Sequence, residues 1–171
     1  MGATLAYRNK IYVCFDGDKD MRYYRLMTAW KNNQNIEFNF HNAHDLNTAR
    51  DSSQQESIKR QLRARFENSK MLIVLIGEST ARLTKFVKWE MEVAIRLGLP
   101  IVGVNLNGSR RADALCPPAL KGQLVIFTTF NPKIIQYAID NWPQRHSDHK
   151  KTGNIAHYYY KDSLYKELGL A

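Results

Sequence analysis

Long apolar runs are missing from this chain of 171 residues. No stretch approaches the ~18 consecutive apolar residues that a membrane-spanning helix needs, so no contact with a membrane is expected. The opening "MGATLAYRNK" also lacks the apolar core of an export signal, and a cytoplasmic site of action is expected. The Met1-Gly2 start fits an acylation signal poorly, because Leu5 and Ala6 depart from that pattern. Cysteine is scarce: Cys14 lies in an apolar run and Cys116 in a loop, which excludes a disulfide framework and offers no metal-ligand spacing. Both read as free thiols, and no metal site is expected. Neither a G-x-G-x-x-G fingerprint nor a phosphate-binding G-x-x-x-x-G-K-[ST] loop occurs, and no internal repeat is evident.

Positive charge is in excess, with a formal net charge of +9. The basic residues are scattered rather than interleaved with aromatics along a groove, so nucleic acid is not expected as a partner. A solvated basic surface is the expected explanation of the charge, and attraction of a small polyanion is as compatible with it as nucleic acid is.

Apolar segments of strand length alternate with amphipathic helical ones, which predicts a parallel sheet wrapped by helices. Strands are expected at 10–15, 36–40, 70–77, 99–106 and 123–129. Helices are expected at 20–32, with Tyr23, Leu26, Met27 and Trp30 inward, from Ser53 onward, at 80–97 and at 131–142. Ser53 followed by Glu56 has the form of a capping box. The continuously apolar "KMLIVLIG" suits a central strand covered on both faces. This amounts to five βα units. The chain divides into an N-terminal extension (1–9), a main domain (10–142) and a C-terminal basic linker with a short helix (143–171), the last expected to pack back through Ile155, Tyr158, Leu164 and Leu168.

"KFVKWEMEVAI" (85–95) contains the residue that most needs explaining. At about 100° per residue, Val87, Ala94, Phe86 and Leu97 fall within about 60° of Leu83 and define a buried stripe. Glu92 lies opposite, toward solvent. Glu90 falls about 20° from the centre of the stripe, where an unpaired carboxylate costs several kcal/mol. It must therefore pair with a cation such as Arg82 or Lys85, collect hydrogen bonds, or border a cleft with a raised pKa.

In an open parallel sheet, ligands bind outside the carboxyl ends of the strands, where strand order reverses. A late helix start, at Leu83 or beyond, would bring Glu90 toward that edge, and "GESTARLT" can form the irregular loop that this requires. A phosphoacceptor pocket is suggested by "FDGDKD", yet no Asp occurs between Ser52 and Asp113 to serve as the acceptor on the third strand. A glycosyl-transfer site built on one carboxylate remains. Cleavage of an N-glycosidic bond to a cationic leaving group needs no general acid, and a lone carboxylate can stabilise the oxocarbenium-like transition state.

Taken together, "KIYVCFDGDKD", "ESIKRQLRARFENSKMLIVLIGEST" and "KFVKWEMEVAIRLGLPIVGVNLNG" resemble the TIR-like domains of the DUF1863 family, which includes TIR-like sensor proteins of bacterial Thoeris anti-phage defence. The resemblance covers about residues 9–142. It implies an α/β, flavodoxin-like (TIR-like) fold with a five-stranded parallel sheet flanked by helices and a C-terminal helical appendage. It also implies cleavage of NAD as substrate, with no cofactor, and formation of a nucleotide signal that reaches a downstream effector, with homo-oligomerisation on activation. Glu90 in the Trp89-Glu90 pair would be the catalytic carboxylate. Phe15, Asp16, Gly17 and Asp20 would line the loop beside the nucleotide, His41, Asn42 and His44 the loop after the second strand, and Ser79, Thr80 and Lys85 the ribose or phosphates. The acidic first loop departs from the Ser or aromatic residues of many TIR domains, and would repel a pyrophosphate. Two alternatives stay open: a non-enzymatic interaction module, and a nucleoside deoxyribosyltransferase-like enzyme.

Overall fold

The computed structural model describes residues 10–31, 37–40, 52–83 and 86–170. Its elements in chain order are β1 (Lys10–Cys14), α1 (Met21–Lys31), β2 (Glu37–Phe40), α2 (Ser52–Glu67), β3 (Ser69–Ile76), α3 (Phe86–Arg96), β4 (Ile101–Asn105), β5 (Val125–Thr129), α4 (Pro132–Lys151), β6 (His157–Tyr159) and α5 (Asp162–Glu167). The strands form one sheet in the order β2-β1-β3-β4-β5-β6, every pairing parallel. The first five strands are the flavodoxin-like arrangement expected from the alternation. Strand order reverses between β1 and β3, so the carboxyl ends of these two strands flank the crevice in which ligands of such sheets bind.

Both faces of the sheet are buried, for the reason that the β3 composition implies. Alternate residues of β1 serve different layers. Tyr12 and Cys14 join Leu62 and Phe66 of α2 and Val87, Met91 and Ala94 of α3 on one side. Ile11, Val13 and Phe15 join Tyr24 and Met27 of α1 and Ile135, Ala138 and Trp142 of α4 on the other. In α1 the inward face is set by Tyr24 and Met27, while Leu26, expected inside, is 48% exposed. Tyr23 and Trp30 flank that face and pack on Phe130.

The helix expected at 80–97 is split. Thr80–Arg82 is a short 3-10 turn, and α3 begins only at Phe86, the late start that "GESTARLT" allows. Its other end is a Schellman cap: Leu99 N–H donates to Ala94 C=O (3.0 Å) and Gly98 N–H to Ile95 C=O (3.0 Å). This cap requires the left-handed φ of +70° that Gly98 supplies. Between β4 and β5 the described chain has a 3-10 turn at Pro118–Leu120 where a loop is expected from the sequence, so four helices alternate with the first five strands, as the expected positions have it, and the count of five βα units is one too many.

The basic stretch after Trp142, read from sequence as a linker, is a continuation of α4 to Lys151 with Pro143 inside the helix. Asn131 starts that helix by accepting from Lys133 N–H at 2.8 Å. The appendage then adds β6 as a sixth strand. Tyr165 (1% exposed) anchors it, whereas Ile155, expected to pack inward, is 66% exposed. The Tyr165 hydroxyl accepts from Thr129 N–H at 3.3 Å, and Arg110 bridges to Asp162 (2.9 Å) and to Leu170 C=O (3.1 Å). Among the described residues no helix is long and apolar enough to cross a membrane.

Candidate active site

Glu90 lies in the second turn of α3 and is 2% exposed. No salt bridge reaches it among the described residues. It faces the side chains of Tyr12 and Cys14 from β1 instead, two weak donors that temper but do not cancel the cost of burial. Burial lifts its pKa from the ordinary 4.5 to about 8, while the Cys14 thiol and the Tyr12 hydroxyl pull it back down. The coupling runs both ways: burial first, and then the Glu90 charge, push the Tyr12 and Cys14 pKa values well above their usual range. The single Cys14 S–H has a competing acceptor in Val87 C=O at 3.8 Å. The Tyr12 hydroxyl lies within range of the carboxyl without reaching the geometry of a formed hydrogen bond, and it is buried with no other partner among the described residues. Its ring stacks on Phe66 with centroids 4.2 Å apart.

Glu92, two positions on, is half-exposed and faces Lys88 at 3.8 Å, as the helical wheel requires. Trp89 is partly buried against α2: Phe66 meets it edge-on at 6.5 Å, and Lys59 and Arg63 lie over its ring at 5.7 and 5.8 Å. Trp89 thus packs on α2 and not on the Glu90 carboxyl.

The loop after β1 is organised by Asp16. Its Oδ1 accepts from Asp18 N–H (2.9 Å) and Lys19 N–H (3.3 Å), and its Oδ2 accepts from Ser79 Oγ at 2.5 Å. The last bond ties the carboxyl ends of β1 and β3 together across the switch point. Gly17 is at the turn of this loop, and Phe15 stacks on Tyr24 at 5.1 Å. Asp20 is 7% exposed, its Oδ2 has no hydrogen-bond partner among the described residues, and burial and Asp16 raise its pKa to about 6. A Cβ on Gly77 would stand 2.9 Å from the Asp20 carboxyl carbon, so glycine there makes room for the acid. The Thr80 hydroxyl is occupied by backbone: it accepts from Gly77 N–H (2.9 Å) and donates to Leu75 C=O (3.3 Å).

Phe15, Asp16, Gly17, Asp20, Ser79 and Thr80 are thus brought together at the crevice, and Glu90 is held below the end of β1. His41, Asn42, His44 and Lys85 lie outside the described residues. Sequence reasoning missed Tyr12 and Cys14. Their i, i+2 spacing on β1 signals a shared face, but only the strand order shows that α3 covers that face.

The chain matches the family described as Thoeris protein ThsB, TIR-like domain, over residues 12–111. It belongs to this family. The matched span runs from Tyr12 through the Asp16 loop, Ser79 and Glu90, so the candidate site lies inside it, while β5, α4, β6 and α5 follow it. The protein is accordingly a defence-related TIR-like protein.

Proposed function

We propose that this ThsB-type domain cleaves the nicotinamide–ribose bond of NAD, with Glu90 as the catalytic carboxylate. The observation that carries the reading is a carboxyl buried beneath the switch-point edge with no cation beside it among the described residues. A structural acid would be expected to have such a partner. In the reaction the C1′–N bond breaks, nicotinamide leaves as a neutral base with the bonding pair, and positive charge develops on the ribose. Glu90 in its ionised form stabilises that charge. A water oxygen, or a nucleophile within the same molecule, then bonds to C1′ and releases a proton.

The pKa of about 8 means that Glu90 is mostly protonated near neutrality in this conformation, and a neutral acid cannot stabilise a cation. With its carboxyl buried, Glu90 also cannot touch a ribose here, so on this reading the conformation is a resting one. Activation opens the contact between α3 and β1 enough to hydrate Glu90 and lower its pKa. Asp16, already saturated with donors, shapes the first loop. Asp20, with one free oxygen, would accept from a ribose hydroxyl, and the two acids together keep the pyrophosphate away from this loop.

Nicotinamide release from NAD by the purified chain tests the reading, with Glu90→Gln as control. A loss of about a hundredfold or more is expected for the variant. Equal release from both would remove Glu90 from the mechanism. Mass spectrometry of the products separates hydrolysis from cyclisation, and activity on nucleosides with none on NAD would favour a deoxyribosyltransferase.

A further inference from the structure

The sheet edge opposite the crevice holds a cavity of about 280 Å³ between the end of α3, the starts of β4 and β5 and the end of α4. It shares Gly98, His146 and Lys150 with an adjoining cavity of about 420 Å³. At about 30 Å³ per water, the first has room for roughly nine waters. Its surface is mainly apolar, with Leu99, Ile101, Leu124 and Ile155 among its lining.

Three polar side chains on this lining, Gln123, His146 and Lys150, lack protein partners among the described residues. His146 is 6% exposed, packs on Trp142 at 5.9 Å, and makes no hydrogen bond through its ring nitrogens. Burial and the neighbouring Lys150 and His149 lower its pKa to about 4, so it is neutral at pH 7. The Lys150 ammonium lies over Gly98, where an added Cβ would be 2.5 Å from Nζ, and no carboxylate pairs with it.

The geometry points to a binding site at this edge for a small apolar monocarboxylate, with an aromatic or branched aliphatic body. The apolar lining takes the body, the Lys150 ammonium takes the charge, and the imidazole of His146 supplies a hydrogen bond. Lys150 is the one lysine or arginine on this cavity's own lining and matches one negative charge, while Lys151 lines only the adjoining cavity. The carbonyl end of α3 lies beside it and carries partial negative charge, which disfavours a dianion such as a phosphate monoester. The site is independent of the NAD reading, being at the other edge of the sheet.

Titration of the full chain with naphthalene-2-carboxylate, followed by ¹H–¹⁵N NMR, tests this. Saturable shifts are expected at the amides of Gly98, Leu99, Gly153 and Asn154. The neutral carboxamide should bind about tenfold more weakly, the worth of one hydrogen bond to a charged group. Lys150→Met, at an exposed position that leaves the fold intact, should make the two ligands equal. Three outcomes overturn the proposal: no saturable shift at these amides, equal binding of acid and amide by the wild type, or tighter binding of naphthalen-2-yl phosphate than of the carboxylate.

Discussion

Glu90 couples stability and activity to pH in opposite senses. Its folded pKa of about 8 stands above the ordinary 4.5, so its contribution to stability is fully present below pH 4.5 and is lost as pH rises through 8, by roughly a few kcal/mol. Chemical denaturation of the wild type should therefore show this loss, and Glu90→Gln, which cannot ionise, should lack it. Activity should run the other way: raising pH through about 8 ionises Glu90 in the resting form and so favours the opened, active one, and nicotinamide release at a fixed chain concentration should increase over that range, because only the ionised form stabilises the ribosyl cation. The Tyr12 hydroxyl favours the ionised form, so Tyr12→Phe should move that rising limb to higher pH, read from the pH–rate profile. The position of Glu90 on the buried stripe was legible from helical periodicity, since 3.6-residue spacing needs no tertiary information. Tyr12 and Cys14 were not, because which helix covers a given face of β1 follows from strand order.

At the scale of elements, the β1–β3 switch point depends on two fitted contacts, Ser79 to Asp16 and Gly77 to Asp20. Gly77→Ala should force the Asp20 carboxyl aside and lower the melting temperature, the cost being about 1–3 kcal/mol as for other overpacked sites. Lys88→Ala, by contrast, removes only an exposed ion pair to Glu92 and should change stability by less than about 0.5 kcal/mol. Strand and helix positions were readable in the five-stranded core because alternating and continuous apolar runs differ in period. The face of α1 was misread at Leu26: several apolar residues compete for its stripe, and packing decided in favour of Tyr24 and Met27. The basic tract 143–151 was misread because composition marks it as polar, yet one buried residue, His146, and continuity with α4 keep it helical.

In the whole molecule, the C-terminal segment completes the sheet. β6 covers the open edge of β5, and Tyr165 and Arg110 fasten the segment to the body. A chain ending at Gly153 should expose β5 as an unpaired edge and lose the Tyr165 anchor, giving a lower melting temperature and self-association measurable by light scattering. The family match and the sheet order agree on a ThsB-type TIR-like domain, and Glu90 is the most deeply buried acid among the described residues, with no salt bridge to it there. Nicotinamide release from NAD, compared between wild type and Glu90→Gln over chain concentrations that drive association, tests the functional account most directly. The account predicts release by the wild type and a loss of about a hundredfold or more in the variant. Equal rates from the two chains, or no release by the wild type at any concentration, would contradict it.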